Sequence, residues 1–111
     1  MSLPLISPQQ ANALVAEGAK LIDIRDPDEY AREHIPAARS VPLDTLPGGL
    51  ETHAGETVIF HCQSGARTSS NAARLAQAAA PAQAFIVEGG IQGWKQAGLI
   101  TQEDTSQPLP L

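Results

Sequence analysis

Three short apolar runs constrain this chain more than any other feature: Leu21-Ile22-Asp23-Ile24, Val58-Ile59-Phe60-His61 and Ala84-Phe85-Ile86-Val87. Each is too short for a helix and too continuously apolar for a strand with one wet face, so each reads as a strand buried on both sides. The segments between them carry helix signals. Ser7-Pro8-Gln9-Gln10 places a cap, a proline at the first helical position and a glutamine that closes a capping box, with Ala11, Leu14 and Val15 inward and Gly18 as the stop. Asp26-Pro27-Asp28-Glu29 repeats the signal and starts a short helix to about Glu33. Thr68 to about Ala80 is rich in Ala, Leu, Arg and Gln and ends before Pro81, and a last helix runs from about Ile91 to Ala97, stopped by Gly98. Strands alternating with helices at this spacing predict a parallel α/β sheet covered on both faces.

The intervening segments are less regular. Ile35-Pro36-Ala37-Ala38 breaks the second helix, Ser40-Val41 is a brief strand candidate, and Leu43 to Leu46 one helical turn ended by Pro47-Gly48-Gly49. Residues 1–100 are expected to form one domain, since 111 residues support one core, and residues 101–111 a flexible tail held by incidental contacts, with Pro108 and Pro110 amid polar residues.

With 12 acidic against 7 basic residues, the chain has no basic stripe with which to neutralise nucleic-acid phosphates, so it is not expected to bind nucleic acid. It has no apolar run long enough to cross a bilayer, and its start lacks the pattern of a secretion signal. A soluble, cytoplasmic domain is the expectation, with membrane attachment only if the natural chain continues beyond Leu111. A single cysteine, Cys62, excludes an internal disulfide and directs any sulfur chemistry to one thiol. Around it, residues 57–100 carry Arg67, Arg74 and Lys95 against Glu88 alone, a balance that would tolerate an anion.

The segment Cys62-Gln63-Ser64-Gly65-Ala66-Arg67 follows a buried strand and precedes a helix, which is where open α/β sheets bind ligands. A loop wrapped there aims backbone N–H groups and a helix dipole at the cysteine sulfur, favouring thiolate. Gly65 permits the positive φ that such a turn needs, Ser64 and Ala66 leave room for an anion, and Arg67 supplies a planar fork of donors. Strand, Cys, small-residue loop, Arg and helix in succession favour a reactive thiol over a small buried hydrophobe. His34, His53 and His61 have no ligand spacing with Cys62, so no metal is expected. His61 adjoins Cys62 but should point to the opposite face, Trp94 reads as a core anchor, and Arg25 and Asp26 carry little weight as site residues.

These motifs resemble the rhodanese (sulfurtransferase) family, specifically its single-domain bacterial members. Leu21 to Arg25 with Glu29-Tyr30 is similar to the family's first strand and helix, and His34-Ile35-Pro36-Ala37-Ala38 to its HIPGA segment. Cys62 to Thr68 looks like the CxxGxR active loop, and Glu88-Gly89-Gly90 with Gly93-Trp94 like its closing helix. Glu33 stands where Gly often precedes the His, Ala37 replaces the usual Gly, and Ile100 stands where Pro often follows. The resemblance implies an open parallel five-stranded sheet with helices on both faces, and no cofactor. It also implies transfer of sulfane sulfur from thiosulfate or a similar donor to a thiol, cyanide or protein acceptor through a Cys62 persulfide. Cys62 would be the nucleophile, Arg67 would steady the loop or the donor's sulfonate, and Gln63, Ser64, Gly65, Ala66 and Thr68 would hold the substrate through loop N–H groups. Two alternatives stay open. One is phosphatase or arsenate reductase-like chemistry, which in related proteins resembles a longer C-x5-R loop; the other is a sulfur-relay or interaction module without turnover.

Overall fold

The computed structural model describes residues 3–46 and 48–103. Five parallel strands form one sheet in the order β1-β6-β5-β2-β4, with β1 at Leu5–Ile6, β2 at Lys20–Asp23, β4 at Ala38–Ser40, β5 at Thr57–His61 and β6 at Gln83–Val87. The expected α/β class, strand number and direction are all present. The three apolar runs occupy its centre, β2, β5 and β6, because only central strands are buried on both faces.

Alternation along β5 divides the core. Val58, Phe60 and Cys62 pack with Ile22, Ile24 and Leu75 on one face, whereas Ile59 joins Leu21, Ala11, Ile91 and Trp94 on the other. The first face is covered by α4 (Ala72–Ala79), and the second by α1 (Pro8–Ala16) and α5 (Gly90–Gln96). The Ser7 capping box forms as read: Gln10 N–H donates to Ser7 Oγ (3.1 Å) and Ser7 N–H to Gln10 Oε1 (2.9 Å). Helix α2 spans Pro27–Arg32, with Asp26 as its cap and Asp26 N–H donating to Glu29 (3.2 Å).

Four expectations need adjusting. Strand β1 went unread because two residues carry no period. The brief strand falls at Ala38–Ser40 rather than Ser40–Val41, its register set by pairing of Leu21 with Ala38. The helix expected from Thr68 to Ala80 starts earlier and is broken, into α3 (Ala66–Ser70) and α4. Asn71 interrupts it at φ −119°, its side-chain amide donating to Arg67 O (2.8 Å), the local competition with helix that Asn offers. Finally, the segment expected to be loose from residue 101 begins inside an ordered pairing: β7 (Gln102–Glu103) runs antiparallel to β3 (Glu33–His34). Thr101 Oγ1 also donates to Glu33 (2.7 Å). The remainder of the expected tail, residues 104–111, lies outside the described residues. Among the described residues no helix is long and apolar enough to cross a membrane.

Candidate active site

Strand β5 delivers Cys62 one residue beyond its carboxyl end, and the chain then turns through Gln63, Ser64 and Gly65 into α3. Gly65 has φ +99°, the left-handed conformation expected for it, and caps α3. The turn points Gly65 N–H back at the sulfur, 3.1 Å from Cys62 Sγ. Thr68, fully buried, sets its hydroxyl 3.6 Å from Sγ and 3.0 Å from Gly65 O. Burial pushes the Cys62 thiol up, but the N–H groups of Thr68, Gly65 and Arg67 and the Thr68 hydroxyl outweigh it, and the thiol lies below its ordinary value. Cys62 is 1 % exposed at the base of the loop, whereas Ser64 and Ala66 within the loop are exposed.

The loop is held from behind by α5. Ile91 N–H donates to Cys62 O (2.9 Å) and Gln92 N–H to Gln63 O (3.1 Å). This approach requires Gly90, at φ +60°, because a Cβ there would collide with Cys62 O and lie 2.7 Å from the Gln63 carbonyl carbon. Gly89, at φ +78°, has a different reason: a Cβ there would lie 3.1 Å from Gly93 Cα within α5.

The Arg67 side chain turns toward α2. Its two terminal nitrogens each donate to one oxygen of Glu29 at 2.8 Å, a bidentate pair that ties the loop to α2. The pair holds Glu29 well below the usual carboxylate range, at about 2, and raises Arg67. Arg67 thus steadies the loop through its guanidinium, while its backbone N–H favours the sulfur anion. Gln63 accepts from Arg25 Nη1 (3.1 Å) and lies between two shallow clefts of about 320 and 450 Å3, the first lined by Glu29 and Arg32, the second by Gln92 and Lys95, with Glu33 in both.

Arg25, which carries little weight in the sequence, supports the loop from beneath. It is 3 % exposed and makes a fork-to-fork pair with the wholly buried Asp23, its Nη2 2.8 Å from Asp23 Oδ2, besides bonding Glu33 O and Gln63. Asp23 pairs in register with His61, so this ion pair underlies the active loop. The available signal was an acid and a base two apart at the end of an apolar run, a pattern that buries charge only when paired. His61 faces that side, as alternation required, its Nδ1 3.1 Å from Cys62 O and its Nε2 3.6 Å from Asp23. Burial pushes His61 below its ordinary value, against the opposing pull of Asp23. Trp94 anchors α5 in the core and donates to Ile100 O (3.0 Å), and Tyr30 donates to Ala38 O (2.8 Å).

Residues 7–97 match the model of the rhodanese-like domain. An uncharacterized protein of Synechocystis is 39% identical over 82% of this chain, and the chain spans about half (51%) of that protein's length. The thiosulfate sulfurtransferase GlpE of Ectopseudomonas mendocina is 36% identical over 81% of this chain and 83% of its own. Among solved structures, the thiosulfate sulfurtransferase of Pseudomonas aeruginosa superposes with a TM-score of 0.80 at 26% identity, over 94% of this chain and 20% of its own.

Proposed function

The chain belongs to the rhodanese-like family, and from that premise we propose that it is a sulfurtransferase working through Cys62. In the first half-reaction the Cys62 thiolate attacks the outer sulfur of thiosulfate or a similar donor. The Sγ–S bond forms, the donor's S–S bond breaks, and its electron pair leaves with sulfite, so Cys62 carries a persulfide. A thiol, cyanide or a protein thiol then attacks the outer sulfur, and the thiolate returns. The reaction is redox-neutral and its protons are those of the acceptor thiol. A cytoplasmic setting suits it, because acceptor thiols stay reduced there.

One observation carries this reading: the Gly65 N–H lies 3.1 Å from Sγ at the mouth of a loop whose other N–H groups also favour the sulfur anion. Those donors serve the thiolate and then the outer sulfur of the persulfide, as an oxyanion hole serves oxygen. Gly65, Arg67 and Thr68 supply these donors, Gln63, Ser64 and Ala66 complete the loop that would hold the substrate, and Arg67 also fixes its shape through Glu29. The pairing of Arg67 with Glu29 also weighs against oxyanion chemistry of the phosphatase kind, which needs a free guanidinium over the loop.

The test is thiosulfate:cyanide turnover in the wild type and Cys62→Ser, with circular dichroism on both. Loss of turnover with retained fold supports the reading, since oxygen does not replace a polarizable thiolate as sulfur carrier. Retained turnover, or hydrolysis of an aryl phosphate faster than sulfur transfer, would overturn it.

A further inference from the structure

Of the bases that the sequence places around Cys62, Arg67 and Lys95 are held in ion pairs, whereas Arg74 donates to Leu46 O (3.0 Å) and makes no ion pair among the described residues. Arg25 is buried against Asp23. Both outer nitrogens of Arg67 are engaged by Glu29, and Lys95 Nζ lies 3.1 Å from Glu33. Glu33 is itself fixed by Thr101 at 2.7 Å, so its carboxylate is held at the junction of the two clefts beside Gln63. Arg32 alone, among the described basic side chains of these clefts, makes no ion pair.

This arrangement matters to a donor that brings its own charge. Thiosulfate must seat a sulfonate near the loop while the thiolate attacks. The guanidinium best shaped for a sulfonate is Arg67, and a sulfonate could take it only by displacing a carboxylate bound through two 2.8 Å hydrogen bonds. A donor without a second anionic group has no such competition.

We propose that Glu29 and Glu33 are specificity-determining residues which, by engaging Arg67 and Lys95, tune the Cys62 site away from dianionic donors and toward a persulfide carried on a small thiol of neutral or positive charge. The inference rests on the sulfurtransferase reading and narrows its donor class. In the favoured step the Cys62 thiolate attacks the outer sulfur of R–S–SH. The Sγ–S bond forms, the donor's S–S bond breaks, the electron pair leaves on R–S⁻, and the proton remains with the transferred sulfur.

The experiment compares alkylation of Cys62 by iodoacetate and by iodoacetamide, reagents of nearly one size that differ by a charge. The wild type, Glu29→Gln, Glu33→Gln and the double variant are measured as the full chain at low ionic strength. Taking the ratio of the two rates removes any change in thiolate content. The iodoacetate:iodoacetamide ratio should rise about threefold or more in the double variant and less in each single one, and shrink toward the wild-type value at high salt. Arg32→Gln should move the ratio the other way. Specificity should follow, with kcat/KM for thiosulfate relative to cysteamine persulfide rising in the double variant. A ratio unchanged in folded Glu-to-Gln variants, or a thiosulfate preference in the wild type that those variants leave alone, would overturn the proposal. If neither donor yields sulfur transfer in the wild type, the sulfurtransferase reading falls and the donor class with it, while the alkylation ratio separately decides whether the carboxylates set the charge.

Discussion

Replacing Gly90 by alanine tests whether the active loop is shaped by the helix packed behind it. The added Cβ would meet Cys62 O and lie 2.7 Å from both the carbon and oxygen of the Gln63 carbonyl, and these are backbone atoms with no rotamer to yield. The residue would also occupy φ +60°, which costs a non-glycine residue about 1–2 kcal/mol. Crowding of this kind adds about 1–3 kcal/mol, so the total is about 2–5 kcal/mol, a large share of the roughly 5–15 kcal/mol that stabilises a domain. Gly98→Ala is the control. Its φ is +81°, but nothing lies within 4 Å of the new Cβ, so it carries the backbone cost alone. Thermal melts of the two variants should therefore differ by roughly 5–20 °C. Sulfur transfer by Gly90→Ala at a temperature where it remains folded should fall further than that of Gly98→Ala, because the loop must shift away from α5. Equal melting temperatures and equal activities would refute the reasoning.

Cys62 should alkylate with iodoacetamide at a pH midpoint below the free-cysteine value of about 8.5, and Thr68→Val, which removes a hydroxyl from the sulfur, should raise that midpoint; an ordinary or raised midpoint in the wild type would contradict the geometry. Arg25→Ala leaves Asp23 wholly buried without its partner, so it should lower stability by about 3–5 kcal/mol in denaturant titration, more than Arg67→Ala at a half-exposed pair. Truncation after Ile100 removes the β3–β7 pairing and the Thr101 bond to Glu33, and should cost about 1 kcal/mol or more relative to truncation after Glu103, measured as a fall in melting temperature between the two truncated chains.

The elements legible in the sequence were those with local causes. Ser7 and Asp26 announce their helices through caps that need only neighbouring residues, and the three apolar runs announce central strands because burial on both faces demands it. Cys62 and Gly65 were legible for a similar reason: a reactive loop between strand and helix uses a narrow set of residues. Arg67 was identified as part of the loop, but its partner Glu29 lies 38 residues away, and nothing local says that a guanidinium so placed is already engaged. Arg25 was passed over because its value depends on Asp23, His61 and Gln63 meeting under the loop, which follows only from the β2–β5 register. Strand β7 is polar and exposed on both faces, and such a segment leaves no periodic trace; its pairing with β3 is visible only once Glu33 and Thr101 are brought together.

In the proposed reaction Cys62 carries the transferred sulfur as a persulfide. Intact mass of the protein after incubation with thiosulfate and removal of excess donor tests it most directly. The expected result is a gain of about 32 mass units, one sulfur atom, located on Cys62, absent in Cys62→Ser and reversed by cyanide. A wild-type mass unchanged by thiosulfate and by a small-thiol persulfide alike, in a protein whose thiol still alkylates, would contradict it.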